Sequence, residues 1–152
     1  MLQGEFTPKL DEKGRFFLPT QFRNDEQLKD ERLTMVRHPE RCLAIWATPT
    51  FDQALASLVS REVDDPDSRV YQRLLGSSSL VELDNQGRIL IPPALREYAK
   101  LDKEIVIIGA VDHLEVWDAQ AWATYLAKWE PKFENLGRKR KREVSALDDD
   151  DE

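Results

Sequence analysis

The sequence predicts an α+β fold in which two tandem β-β-α-β-β modules interlock as a pseudo-twofold unit, with helices on the outside. Three observations predict it. The stretch Leu10-Asp11-Glu12-Lys13-Gly14-Arg15-Phe16-Phe17-Leu18-Pro19-Thr20-Gln21-Phe22-Arg23 recurs as Leu83-Asp84-Asn85-Gln86-Gly87-Arg88-Ile89-Leu90-Ile91-Pro92-Pro93-Ala94-Leu95-Arg96, an offset of 73 (83 minus 10), and a repeat of this kind governs architecture. Each copy is followed by two short apolar runs rich in strand formers, Leu33–Val36 and Leu43–Trp46, then Ile105–Ile108 and Leu114–Trp117. Finally, one copy from its first strand to its Trp is only about 40 residues long, near the size at which a lone chain cannot bury enough surface to fold. The two copies must share one core.

The elements follow in order. Gly4–Leu10 reads as a first strand, at an edge or broken by Pro8, which has no N–H for a ladder. In Asp11-Glu12-Lys13-Gly14 the aspartate side chain can bond its own downstream backbone, and Gly14 can take the left-handed conformation that closes a hairpin. Arg15 opens the returning strand; Pro19 ends it and suits the entrance of a short helix through Phe22 and Arg23. A polar loop, Asn24–Glu31, leads to a second hairpin. In the second half Trp117 matches Trp46 and Trp122 matches Phe51, both offset by 71 (117 minus 46), so the loops differ by two residues while the elements persist.

Thr48-Pro49 caps an expected helix with Phe51, Leu55, Leu58 and Val59 at helical spacing, and Asp118 caps an equivalent one with Trp122, Leu126 and Trp129. Between the copies, Asp64-Asp65-Pro66-Asp67 marks a break, and Asp67 is expected to cap a helix that ends before Gly76 with Val70 and Leu74 on one side. Arg69 and Arg73, four apart on it, suit either phosphate or a solvated, salt-bridged face. The expected organisation is a first module at 5–50, a helical connector at 51–76, a second module at 77–122, a C-terminal helix at 123–136 and a charged, disordered tail at 137–152.

Composition narrows the function classes. Apolar runs such as Ile105–Ile108 are far too short for a membrane span, and the first residues lack a basic-then-apolar signal, so a cytoplasmic location is expected. The single cysteine, Cys42, allows no intrachain disulfide, and no metal-ligand spacing or Gly-rich phosphate loop occurs. No cofactor, metal, membrane or small-molecule partner is expected. A catalytic reading has His38, His113 and Cys42 to work with, but no orienting third residue can be placed beside them, and no catalytic residue is assigned.

The net charge is -7; removing residues 138–152 deletes five positive and six negative residues, leaving 17 against 23, or -6. The body itself is acidic. Nucleic-acid contact would therefore come from a local basic feature, displayed many times. The run Arg138-Lys139-Arg140-Lys141-Arg142 either adds non-specific DNA binding or folds back on the acidic end Asp148–Glu152.

The doubled Leu-Asp-x-x-Gly-Arg hairpin with its following Pro resembles the MraZ family of bacterial transcriptional regulators, as do Gly4-Glu5-Phe6, Arg69–Gly76, Arg96-Glu97-Tyr98-Ala99 and Leu114-Glu115-Val116-Trp117. The resemblance covers roughly residues 1–130. It implies a pseudo-dimeric swapped-hairpin (SpoVT-AbrB-like) β-barrel with both halves supplied by one chain, a ring-like homo-oligomer, and binding of double-stranded DNA at promoter repeats of the division and cell-wall gene cluster, usually lowering its transcription. Nucleoid association follows from that reading. The main rival it leaves is a protein-interaction or antitoxin-like module using the same barrel.

With the resemblance in hand, Arg15 and Arg88 are the expected DNA-reading residues, since a guanidinium fork can grip phosphate or guanine O6 and N7. The alternative is that each only pairs with Asp11 or Asp84 and fixes its turn. Lys13 adds a phosphate contact and Gln86 a hydrogen bond, which makes the halves unequal. Asp11, Gly14, Asp84 and Gly87 shape the turns, and Arg23 and Arg96 are expected to make structural bonds to a carboxylate or carbonyl. Phe17 departs from relatives, which commonly carry a small hydroxylated residue there, and with Leu90 it makes both returning strands apolar on both faces. Two-sided burial, a subunit interface or plain core variation would each account for that.

Overall fold

A computed structural model describes residues 1–59 and 65–150. Side chains at 57–59 and 148–150 lie outside the described residues, as do positions 60–64 and 151–152, so the expected stripe positions Leu58 and Val59, Asp64 of the break, and the acidic side chains of Asp148–Glu152 are not described.

Residues 1–119 form one compact unit of α+β architecture. Its strands are β1 (Glu5–Phe6), β2 (Arg15–Phe17), β3 (Leu33–His38), β4 (Cys42–Ala47), β5 (Ser79–Val81), β6 (Arg88–Leu90), β7 (Ile105–Gly109) and β8 (Leu114–Asp118). Its helices are α1 (Thr20–Arg23), α2 (Thr48–Val59), α3 (Pro66–Gly76) and α4 (Pro93–Tyr98). Six strands make an antiparallel sheet in the order β1-β7-β8-β4-β3-β5, and β2 pairs with β6 in a separate two-stranded ribbon. The hydrogen-bonded ladder therefore does not close into the expected barrel. The reason is local: Pro8 breaks the first strand, leaving Lys9↔Glu104 as an isolated bridge beyond β1, and the short β2 and β6 are bounded by Pro19 and Pro92, which cannot donate to a ladder.

The two copies exchange strands. β1 of the first pairs with β7 of the second, β5 of the second pairs with β3 of the first, and β2 pairs with β6. The register reveals a pseudo-twofold axis. In the ribbon Phe16 faces its own repeat counterpart Ile89 (16 plus 73), so Arg15↔Leu90 maps onto Arg88↔Phe17. In the large sheet Ala44 faces its counterpart Glu115 (44 plus 71), so Leu43↔Val116 maps onto Ile45↔Leu114. Both pairs are fixed points of the repeat.

The core obeys the same symmetry. Phe16, Leu18 and Phe22 are fully buried with their counterparts Ile89, Ile91 and Leu95, and all six belong to one cluster with Leu43, Ile45, Leu114 and Val116. Each such side chain contributes about 1.5–3 kcal/mol when buried. A smaller cluster, Val36, Ala44 and Phe51 with Trp46, Leu55 and Leu75, lies on the other face of β3 and β4, under α2 and α3. The α3 N-cap is Asp65, whose side chain accepts from the Asp67 N–H, with Pro66 in the first turn. The expected cap, Asp67, thus sits inside the helix, because Pro66 needs no donor there and Asp65 can reach the amide beyond it.

The second unit, from Gln120 on, is nearly all of α5 (Ala119–Asp150). The expected disorder from 137 onward is not seen: the helix runs through Gly137 and the basic run without interruption. Lys, Arg, Glu, Ala and Leu are strong helix formers, and one Gly costs only about 1 kcal/mol. Within this helix Trp122 stacks on Tyr125 at 5.5 Å between centroids, and the amines of Lys128 and Lys132 lie 5.2 and 4.9 Å from the Trp129 ring centre. Among the described residues no helix is long and apolar enough to cross a membrane.

Candidate nucleic-acid interface

Two nearly superimposable turns carry the candidate arginines. In the first, the Asp11 carboxylate accepts from the Lys13 N–H at 3.0 Å and the Arg15 N–H at 2.8 Å through Oδ1, and from Arg15 Nε at 2.8 Å through Oδ2. In the second, Asp84 accepts from the Gln86 and Arg88 N–H groups at 2.9 Å each and from Arg88 Nε at 2.8 Å. Each turn closes with the Gly N–H bonding the Asp carbonyl at 3.0 Å. Backbone donation from Arg15 holds the Asp11 carboxyl below its usual range against slight desolvation, and the Arg15 side chain adds to this; Arg88 does the same for Asp84.

The alternatives for Arg15 and Arg88 thereby merge. Each does pair with its aspartate, but through Nε, and the two terminal guanidinium nitrogens lie beyond that bond. These side chains keep 28% and 21% of their surface exposed. A guanidinium held by one edge still presents a fork to a phosphate or base. Glu12 and Lys13 are exposed at the first tip, Asn85 and Gln86 at the second.

Gly14 and Gly87 are required twice over. Their φ angles are +86° and +80°, where other residues are strained. A Cβ on Gly14 would also lie 2.6 Å from Arg96 Cζ, and one on Gly87 would strike the Arg23 guanidinium. Each turn of one copy is therefore floored by an arginine from the other. Arg23 Nη2 donates to Thr20 Oγ1 at 2.8 Å, while Nε of both Arg23 and Arg96 is buried without a hydrogen-bond partner. The expected bond of these arginines to a carboxylate or carbonyl is replaced by stacking on a glycine turn. The clue in the sequence was that Gly and Arg recur together at the same offset, although neither spacing nor composition tells that they meet crosswise.

The ribbon presents its outer face as a chequerboard. Phe16 and Ile89 point into the core, whereas Phe17 and Leu90 stand 55% and 52% exposed. Two-sided burial of these strands within the chain is therefore overturned, because the alternation of a strand sends successive side chains to opposite faces and, among the described residues, nothing covers the outer one. The register sets Arg15 opposite Leu90 and Phe17 opposite Arg88. Arg88 Cζ lies 5.8 Å from the Phe17 ring centre, a cation–π contact that Leu90 cannot offer Arg15.

The other end of the axis holds the histidines. His113 Nδ1 lies 2.7 Å from Asp112 Oδ1, and its Nε2 lies 3.0 Å from Glu115 Oε2. Two nitrogens facing two carboxylates are both satisfied only as imidazolium donors. Burial opposes that charge, yet the bonds to Glu115 and Asp112 raise the His113 pKa overall, and bonds from His113 and Trp117 lower that of Glu115 against its own desolvation. The Trp46 ring stacks on His113 at 4.5 Å. His38 accepts the Glu40 N–H at Nδ1 and leaves Nε2 3.9 Å from Glu115, too far for a hydrogen bond. Glu115 had no signal in the sequence beyond its place in a strand. Cys42, opposite His38 in the β3–β4 pair, is fully buried, and burial with the charges of Glu115 and Glu40 pushes its thiol far up. That removes the thiolate a Cys–His pair would need. Among the described residues no group of three or more ligands is set for a metal ion.

The sequence signature described as "MraZ protein, putative antitoxin-like" matches this chain twice, over residues 1–74 and 74–143. The protein named "Transcriptional regulator MraZ" in Cutibacterium acnes is 45% identical over 137 residues, 90% of this chain and 94% of the relative. The proteins of the same name in Corynebacterium urealyticum and Leifsonia xyli subsp. xyli are 46% and 42% identical over 134 and 136 residues, 88% and 89% of this chain and 92% and 93% of theirs. The family match begins its second half between the two hairpins, where the repeat itself divides the chain, and on this footing the chain belongs to the MraZ family.

Proposed function

We propose that this protein is a transcriptional regulator that binds double-stranded promoter DNA through Arg15 and Arg88, with Lys13 and Gln86 at the tips of the same turns. The observation that carries the reading is the pair of matched turns, each clamping one arginine by Nε and leaving its terminal nitrogens beyond the clamp. A clamped guanidinium loses less freedom on binding than a free one. The names of the relatives support the regulatory role.

In this reading the exchanged strands belong to the swapped-hairpin, SpoVT-AbrB-like architecture, and the protein works in the cytoplasm on the nucleoid. One pair of arginines makes few phosphate contacts, each readily weakened by salt. Several copies in a ring would engage successive operator repeats, so that later contacts become intramolecular. Occupied repeats upstream of the division and cell-wall gene cluster then lower its transcription.

The test is selection of fragments from a random genomic set by the native protein and by Arg15→Ala/Arg88→Ala. The native protein enriches a small set with repeated motifs, and the variant loses it. Equal enrichment by both would move DNA binding off this surface, and no enrichment by the native protein would favour the protein-interaction or antitoxin-like role.

A further inference from the structure

Resting on that DNA reading, we infer that Phe17 and Leu90 are its apolar half: they contact thymine methyl groups in the major groove while Arg15 and Arg88 hold phosphates or guanines beside them. The four side chains occupy one face of the β2–β6 ribbon, Arg15 and Arg88 on one diagonal and Phe17 and Leu90 on the other. Diagonal neighbours in such a pair lie about 7–8 Å apart. Phe17 and Leu90 are more than half exposed, while the alternate residues Phe16 and Ile89 are buried. The outward position is thus not forced by lack of room inside for apolar residues; it is the opposite face of the same strands.

Charge and width together choose the occupant. A second copy of the same face would crowd four guanidinium groups around one apolar contact, whereas a duplex supplies acceptors for the terminal nitrogens that lie beyond the Asp11 and Asp84 clamps. Width chooses the groove. Paired strands are about 4.8 Å apart before side chains are added; the major groove, about 12 Å wide, admits such a ribbon without deformation, whereas the minor groove at about 6 Å would have to be widened. The major groove is also where thymine displays its methyl group, the one apolar feature among the base edges. The contact of Arg88 with the Phe17 ring, at 5.8 Å, keeps the cation beside the apolar anchor in the second half of the face.

The experiment takes a genomic fragment enriched by the native protein and resynthesises it with deoxyuridine at one thymidine at a time, which deletes a single methyl group. Native protein loses affinity about four-fold at each contacted thymidine, the worth of one buried methyl. Phe17→Ala/Leu90→Ala binds the parent fragment more weakly and no longer distinguishes deoxyuridine from thymidine. Both positions are exposed, and an unchanged melting temperature establishes that the variant is folded. Native binding indifferent to every substitution overturns the inference. So does a variant that keeps the native pattern of deoxyuridine losses, including one whose only change is a smaller assembly mass, which would assign the pair to a subunit contact. Failure of the DNA reading is distinguished separately, since then Arg15→Ala/Arg88→Ala enriches the same fragments as the native protein.

Discussion

The first and second hairpins have the same backbone and different surfaces. Their Asp-to-backbone and Asp-to-Arg bonds agree within 0.1 Å, from 2.8 to 3.0 Å in one and 2.9 to 2.8 Å in the other. What differs on the surface is Glu12 and Lys13 against Asn85 and Gln86, and Phe17 against Leu90, while Arg15 and Arg88 are the same. The aspartate and glycine are held constant by the geometry of the turn, whereas the tips and the outer strand face are free to diverge. A pseudo-symmetric frame with unsymmetrical contacts suits recognition of a sequence that is not palindromic.

The largest effect should come from breaking the frame itself. Gly14→Val and Gly87→Val each combine a strained φ with a collision against the arginine of the other copy. A loss of about 3 kcal/mol is expected for each in urea unfolding. Removing the colliding guanidinium sharpens the comparison. Gly87→Val combined with Arg23→Ala should lose less than the sum of the two single changes, and Gly14→Val should couple in the same way to Arg96→Ala but not to Arg23→Ala.

Next in size is the loss of the two arginines proposed to read DNA. Arg15→Ala and Arg88→Ala together should weaken binding to an enriched fragment about 100-fold and lower the salt slope by about two. Neither change should alter the melting temperature by much, since both side chains are at the surface.

The halves also diverge at the far end of the axis, where Ala44 and Cys42 of the first copy correspond to Glu115 and His113 of the second (offset 71). Glu115→Gln should cost about 2 kcal/mol near pH 6. The sign follows from the two shifts. His113 is raised from 6.5, so its contribution is full below that pH and is lost as pH rises through its higher folded value; Glu115 is lowered from 4.5, so its contribution is present above that and is lost on acidification. The cost should therefore be greatest between about pH 4.5 and 6.5, read as melting temperature against pH, and an NMR titration should show His113 returning toward its ordinary value in the variant. Asp11 and Asp84, both lowered from 3.8, add a second loss only below that pH.

The smallest effect is an exchange of tips. Lys13→Gln together with Gln86→Lys conserves total charge and moves it from one hairpin to the other. Affinity should change about three-fold, with the salt slope unchanged. A native-like affinity would mean that positions 13 and 86 are equivalent, and the asymmetry would then rest on Phe17 against Leu90 and Glu12 against Asn85.

Much of this molecule was legible in one dimension because a repeat states its own boundaries. The Asp-x-x-Gly-Arg spacing determined two turns, since a carboxylate four residues before an arginine can meet both its amide and its Nε, and Gly at the fourth position accepts φ near +80° without strain. In the tail the charged composition suggests disorder, while the same residues are good helix formers and α5 runs through them to Asp150. Only tertiary structure decided the rest. That Arg96 lies under Gly14 and Arg23 under Gly87, that Trp46 stacks on His113, and that Phe17 faces outward in front of Arg88 all follow from strand exchange about one axis. Local spacing fixes which backbone groups a side chain can reach within a turn or two; which residue arrives from the other copy depends on how two copies fold into a core that neither could bury alone.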